Sequence, residues 1–185
     1  MGLVEVERLQ QAYDLDVQFA PFFLDPTTPP EGKPRRQVTA PGDPPTPIEQ
    51  RAAGLGITFT RGRTWTSNSY LSLQAAEFAA EHGDPFRFHR AMFKAYFEDL
   101  EDIGNVDTVV RAGGEAGLPE AELREALTAG RYRDEVDEGI RWAQQVGVTA
   151  VPTFVLGEQF GIVGAQELPV FENVLLTKFG RSPTQ

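Results

Sequence analysis

The stretch Gly147-Val148-Thr149-Ala150-Val151-Pro152-Thr153-Phe154-Val155-Leu156, followed by Gly157-Glu158-Gln159 and then Phe160-Gly161-Ile162-Val163-Gly164, decides the architecture. Both arms are rich in β-branched and aromatic residues and a Gly-led turn joins them, which predicts a β-hairpin. A closing helix is expected over residues 167–179, with Val170, Phe171, Val174 and Leu175 on its inner face. Upstream, almost everything between Asn68 and Gly147 reads as helix. Asn68 is placed to cap the first helix, and Asp84-Pro85 opens the second. Asn105 starts a third that stops near Gly117, Pro119 sits at the first position of a fourth that stops at Gly130, and a fifth fills 131–146. Five amphipathic helices in succession define a helical block.

Further toward the N-terminus, Leu3, Val6, Leu9 and Tyr13 make one stripe of a helix over residues 2–13. Val17, Phe19, Pro21 and Phe23 alternate with Gln18, Ala20 and Phe22, which predicts a strand over 17–24 with Pro21 at an edge or bulge. Residues 25–47 hold eight of the 14 prolines and no clear apolar period, so an extended surface loop is expected there. Thr46-Pro47-Ile48-Glu49 has the residues of a capping box with Pro at the first helical position, opening a short helix that ends at Gly54. The order is α-β, a helical block, then β-β-α. Two parts of one α/β core, residues 1–45 and 148–185, are expected to flank an α-helical insertion at 46–147.

The chain has 185 residues, 17 Lys and Arg against 27 Asp and Glu, a net charge of −10 and no cysteine. Its length suffices for a sizeable core. The absence of cysteine removes thiol nucleophiles, disulfides and thiolate-bound metals from its own chemistry. No basic run exceeds the pair Arg35-Arg36, so nucleic acid is not an expected partner. No apolar run approaches the roughly 18 residues of a spanning helix and no signal-type leader follows Met1, so a cytoplasmic location without membrane partners is expected.

No metal or cofactor is expected either. His82 and His89 are the sole histidines and lack a ligand-type carboxylate pattern; helix capping and packing account for them. Thr66 and Ser67 have no relay histidine, and Gly113-Gly114 and residues 161–164 lack phosphate-loop spacing. Glu98, Asp99, Glu101 and Asp102 read as a solvated helix end. Phe86, Phe88, Phe93, Tyr96 and Phe97 read first as core, and secondarily as the lining of a peptide groove.

The run from Gly147 to Phe154, with the hairpin ending Val163-Gly164-Ala165-Gln166, resembles the cis-proline loop and terminal hairpin of DsbA-like thioredoxin-fold oxidoreductases, in particular the FrnE-type branch. Pro21-Phe22-Phe23-Leu24 with Pro29-Pro30-Glu31-Gly32, Trp65-Thr66-Ser67-Asn68, and Phe93-Lys94-Ala95-Tyr96-Phe97 with Asp102-Ile103-Gly104 agree in order. The resemblance implies a thioredoxin-like core with a helical insertion and a cis Val151–Pro152 bond. It further implies that Val151 offers its backbone to an extended peptide or glutathione, and that Trp65 and Asn68 border the cleft. These four residues are the expected substrate-binding set; none is catalytic.

The family's chemistry rests on Cys-x-x-Cys at the end of a first, central strand, where the helix dipole favours the thiolate. Gly2 aligns a few residues beyond that motif, so strand and motif are both missing here. Three readings stand side by side. Met1 is an internal methionine and the nucleophile lies upstream of it; or a cysteine-free, redox-inactive peptide-binding module fills the gap, a homodimer being one way to do so; or the chain is a remnant without a stable fold. A glutathione-dependent isomerase with an active-site serine is a further alternative, and that serine would also lie outside these residues.

Overall fold

The computed structural model describes residues 1–40 and 42–184. Its elements are α1 (Gly2–Ala12), β1 (Lys33–Pro34), α2 (Pro47–Gly54), β2 (Trp65–Thr66), α3 (Tyr70–His82), α4 (Pro85–Phe93) running into a π-type turn (Lys94–Glu98), α5 (Val106–Glu115), α6 (Glu120–Ala129), α7 (Arg133–Gln145), β3 (Thr153–Leu156), β4 (Phe160–Val163) and α8 (Leu168–Phe179).

Local chemistry sets most helix ends. The Thr46 hydroxyl accepts from the Glu49 amide at 3.4 Å and the Glu49 carboxylate accepts from the Thr46 amide at 2.7 Å, closing the capping box that opens α2. Asp84 takes the amides of Phe86 and Arg87 at the start of α4, and Asn105 those of Asp107 and Thr108 at the start of α5. Gly130 and Gly180 close α6 and α8 in the left-handed region. Two starts differ from expectation. α3 begins at Tyr70, with Ser69 at the cap position, although the Asn68 side chain still takes the Tyr70 amide. Pro119 stands at the cap position of α6 rather than inside it.

Contacts divide the chain into two compact units. One joins Met1–Phe19 to the segment from Gln144 onward, and the other is Ala20–Ala143. Residues 20–45 thus group with the helices in this division, whereas the sequence boundaries had placed them with the core.

In the first unit, Leu9 of α1 and Tyr13, at its C-terminal cap, pack with Ile162 of β4 and Phe171 and Leu175 of α8. Phe154 meets Phe171 edge-on at 4.9 Å. β3 and β4 pair antiparallel from Thr153↔Val163 to Leu156↔Phe160. Gly157 and Glu158 turn the hairpin in the left-handed region (φ 54 and 62), and the Gln159 amide donates back to the Leu156 carbonyl.

In the second unit, α3 to α6 enclose Phe78, Phe88, Val109 and Leu123, each almost wholly buried. The aromatic set divides: Phe88 is core, while Phe93 and Phe97 are 48% and 37% exposed. The extra residue of the π-type turn carries the far end of that helix away from the core period.

The expected strand at 17–24 is not a strand. These residues make no ladder among the described residues, because a strand needs a partner and none pairs with them. The proline-rich segment is also more ordered than expected. Lys33–Pro34 pairs antiparallel with Trp65–Thr66, and the ribbon continues through Arg35 N–H to Thr64 O (2.8 Å) and Gln37 Nε2 to Gly62 O (3.2 Å).

Candidate functional site

In the first unit the Val151–Pro152 peptide bond is cis, at the head of β3. Two bonds fix the loop: Gly164 N–H donates to Pro152 O (2.8 Å), and Thr153 Oγ1 donates to Ala150 O (2.7 Å). Gly2, at the start of α1, lies against this loop. A Cβ there would stand 2.8 Å from Phe154 Cζ and 3.1 Å from Pro152 Cγ, so the bare backbone is what permits the approach. Val151 is 48% exposed, and its N–H and C=O make no hydrogen bond within the described chain. Its peptide groups are therefore available to a partner.

The hairpin register extends that surface. Since Pro152 and Gly164 face each other as a bonded pair, Phe154 and Leu156 point their backbone groups at β4, while those of Thr153 and Val155 face the other edge. No strand among the described residues covers that edge. Val155, four residues further along the same arm, adds a second exposed apolar side chain.

Trp65 and Asn68 lie in the second unit. Trp65 stands on β2, 39% exposed, with its indole Nε1 donating to Glu31 O at 3.3 Å. Asn68 spends its side chain internally: Nδ2 donates to Thr28 O (2.8 Å) and Oδ1 accepts from Tyr70 N–H (2.9 Å). Each pair of expected site residues is thus local to its own unit. Asn68 ties the 25–32 segment to α3, and Trp65 keeps an exposed ring face.

The second unit also contains a clasp that the sequence reading missed. Arg61 pairs bidentately with Glu49 at 2.7 Å through Nε and Nη2, and it donates to the carbonyls of Ala40, Asp43 and Pro44. The Arg61 hydrogen bonds, with those of Thr46, push the Glu49 carboxyl down to about 2. An arginine twelve residues beyond a capping-box glutamate was the only signal available. Burial pushes His89 down to about 4, so it is neutral at neutral pH. Tyr132 donates to Glu81 with His82 Nε2 3.3 Å away, and Phe78 lies against the His82 ring; this is packing of the turn between α6 and α7 on α3, with its polar atoms satisfied. Among the described residues no group of three or more His, Asp or Glu could hold a metal ion, and no helix is long and apolar enough to cross a membrane.

A helical block carried by a chain that ends in a cis-proline loop, a hairpin and a helix defines the class: a thioredoxin-like α/β protein of the DsbA type. The family model for the DSBA-like thioredoxin domain matches residues 1–176, and the chain belongs to that family. It is 27% identical over 178 residues to the uncharacterized protein YwbO of Bacillus subtilis (strain 168), covering 95% of this chain and 88% of that protein. The crystal structure of a probable DsbA oxidoreductase, SCO1869, from Streptomyces coelicolor superposes with a TM-score of 0.83 at 26% identity, over 100% of this chain and 86% of that one. A candidate protein disulfide isomerase from Nitrosomonas europaea shares the fold, with a TM-score of 0.69 at 15% identity over 97% and 90% of the two chains.

Proposed function

We propose that this chain provides the polypeptide-binding part of a FrnE-type, DsbA-like thiol–disulfide oxidoreductase, and that it holds an extended substrate segment by backbone pairing at Val151. The observation that carries this reading is the unpaired N–H and C=O of an exposed Val151, fixed in place by the Gly164 and Thr153 bonds on either side. An extended chain laid beside Val151 gains β-type hydrogen bonds without displacing any, and it continues along the open Thr153–Val155 edge. Val151 and Pro152 position the substrate; they do not attack it. With no cysteine in the sequence, the redox step requires a dithiol from outside these 185 residues. The same count favours a second reading, a redox-inactive peptide-binding module.

Amide-resolved NMR titration with an unfolded, cysteine-alkylated peptide tests the binding. The Val151 and Thr153 amides should shift saturably, and Val151→Pro, which deletes the donor, should weaken binding about tenfold or more. Shifts confined to residues remote from 151–155, or an unchanged affinity for Val151→Pro, would refute the assignment. Reading the coding DNA on the 5′ side of the Met1 codon separates the two readings. An in-frame apolar strand ending in Cys-x-x-Cys, with disulfide reductase activity in the longer product, supports the oxidoreductase; a stop codon there supports the module.

A further inference from the structure

The ribbon formed by residues 33–37 and 61–66 carries Lys33, Arg35, Arg36, Arg61 and Arg63 and no carboxylate, in a chain whose net charge is −10. Two of these cations are matched internally: Lys33 Nζ lies 2.5 Å from Asp25 Oδ2, and Arg61 is held by Glu49. The other three make no ion pair among the described residues. Arg35 and Arg36 are exposed. Arg63 is half-buried, its guanidinium carbon 3.7 Å from the centre of the Tyr96 ring. Its Nη1 reaches only the Glu101 carbonyl, at 3.5 Å, and its Nη2 has no hydrogen-bond partner.

Burial works against the Arg63 charge, and the like charge of Arg35 adds to that; Tyr96 and Asp102 oppose it, although Asp102 stands outside ion-pair distance. A fixed, half-buried guanidinium near a second, exposed one, with no counter-anion, leaves positive charge that an external carboxylate on the exposed arginines offsets. Two exposed apolar side chains belong to the same ribbon or its continuation, Trp65 at 39% and Val38 at 83%.

We infer that this ribbon is a docking surface for an acidic segment of another polypeptide, whose carboxylates pair with the exposed Arg35 and Arg36, the uncompensated charge of the half-buried Arg63 adding to the attraction, while its apolar side chains cover Trp65 and Val38. Charge complementarity selects the occupant. The three arginines stand in an otherwise acidic chain, and the sequence around them includes Asp25, Glu31, Asp43, Glu101 and Asp102. Such a patch accepts a few carboxylates and repels a long, uniformly charged phosphate polymer. The inference rests on the second unit alone and does not depend on the Val151 reading.

Fluorescence anisotropy of a dye-labelled octapeptide of alternating Glu and Val, added to the full chain at low salt, tests it. Saturable binding is expected, at least tenfold tighter than for the Gln/Val octapeptide. The R35Q/R36Q double variant, its fold checked by circular dichroism, should lose about tenfold or more, and raising the salt tenfold should weaken binding comparably. Equal binding of the Glu and Gln peptides, an R35Q/R36Q variant that binds unchanged, or tighter binding of a single-stranded oligonucleotide than of the Glu peptide would each overturn the inference.

Discussion

Gly32→Ala is the substitution whose cost is easiest to trace atom by atom. Gly32 has φ +83, a left-handed conformation that costs a residue with a Cβ about 1–2 kcal/mol. The added Cβ would also stand 2.7 Å from the Thr66 carbonyl oxygen and 3.1 Å from Trp65 Cε2, and closer still to the indole nitrogen. The Thr66 oxygen belongs to the β2 backbone and cannot rotate aside, so the ribbon itself must yield, at about 1–3 kcal/mol for overpacking. The expected loss is therefore about 2–5 kcal/mol. Gly56→Ala supplies the control: φ is +71 there, but nothing lies within 4 Å of the new Cβ, so only the backbone part of the cost applies. Both tryptophans, Trp65 and Trp142, lie in Ala20–Ala143, so urea unfolding followed by tryptophan fluorescence reports that unit. With a slope of about 1–3 kcal/mol per molar urea, the midpoint of Gly32→Ala should fall below that of Gly56→Ala by about 1 M. Equal midpoints would show that the close packing of Gly32 on Trp65 and Thr66 contributes nothing, and the geometry of the ribbon would have to be reconsidered.

Asn68→Ala removes a donor to Thr28 O and an acceptor for Tyr70 N–H, and should cost about 1–3 kcal/mol in the same urea assay. Asn68→Asp, which keeps the acceptor for Tyr70 but sets a carboxylate oxygen against the Thr28 carbonyl, should lose at least as much. Phe78→Ala empties a fully buried site facing Tyr132 and should cost about 3–5 kcal/mol, read as a lower urea midpoint with circular dichroism confirming a folded start. Two acid limbs are expected in a plot of stability against pH. His89 sits at about 4 when folded and near 6.5 when unfolded, so the unfolded chain binds the proton first and stability falls between those values, by ~3 kcal/mol. A His89→Gln variant should flatten that limb. Glu49, held at about 2 by Arg61, gives a contribution present above its ordinary value of 4.5 and lost as pH falls toward 2; Glu49→Gln should remove this second limb and leave the first in place.

What could be read from the sequence was what neighbouring residues decide among themselves. Thr46 with Glu49, Asp84 with Pro85, Asn105 and Gly130 each act within one turn of chain, and each bounds a helix where expected. The hairpin at 153–163 belongs to the same kind, since its arms are three residues apart. Pairings between distant segments were not legible. Val17–Leu24 has the alternation of a strand, but alternation describes a side-chain pattern and cannot supply the neighbour that a ladder needs. Lys33–Pro34 has no strand pattern at all, yet it pairs with Trp65–Thr66 more than thirty residues on. The Arg61 clasp and the Arg63–Tyr96 stack escaped for the same reason. Among the expected site residues, the Val151–Pro152 loop was legible only through the family resemblance of the run 147–154, and the bonds that occupy Asn68 depend on a carbonyl forty residues away.

The first unit is assembled from both halves of a divided sequence, and this sets an order on its biosynthesis. Leu9 of α1 and Tyr13 at its end leave the ribosome early, but Ile162, Phe171 and Leu175, which cover them, follow some 150 residues later. At translation rates of about 5–20 residues per second, that apolar face waits roughly ten to thirty seconds for its cover. The contiguous Ala20–Ala143 unit meets no such delay. The nascent chain therefore passes through a stage in which a folded helical unit trails an uncovered amphipathic helix, the stage at which a chaperone that shields apolar surface has its greatest effect on yield.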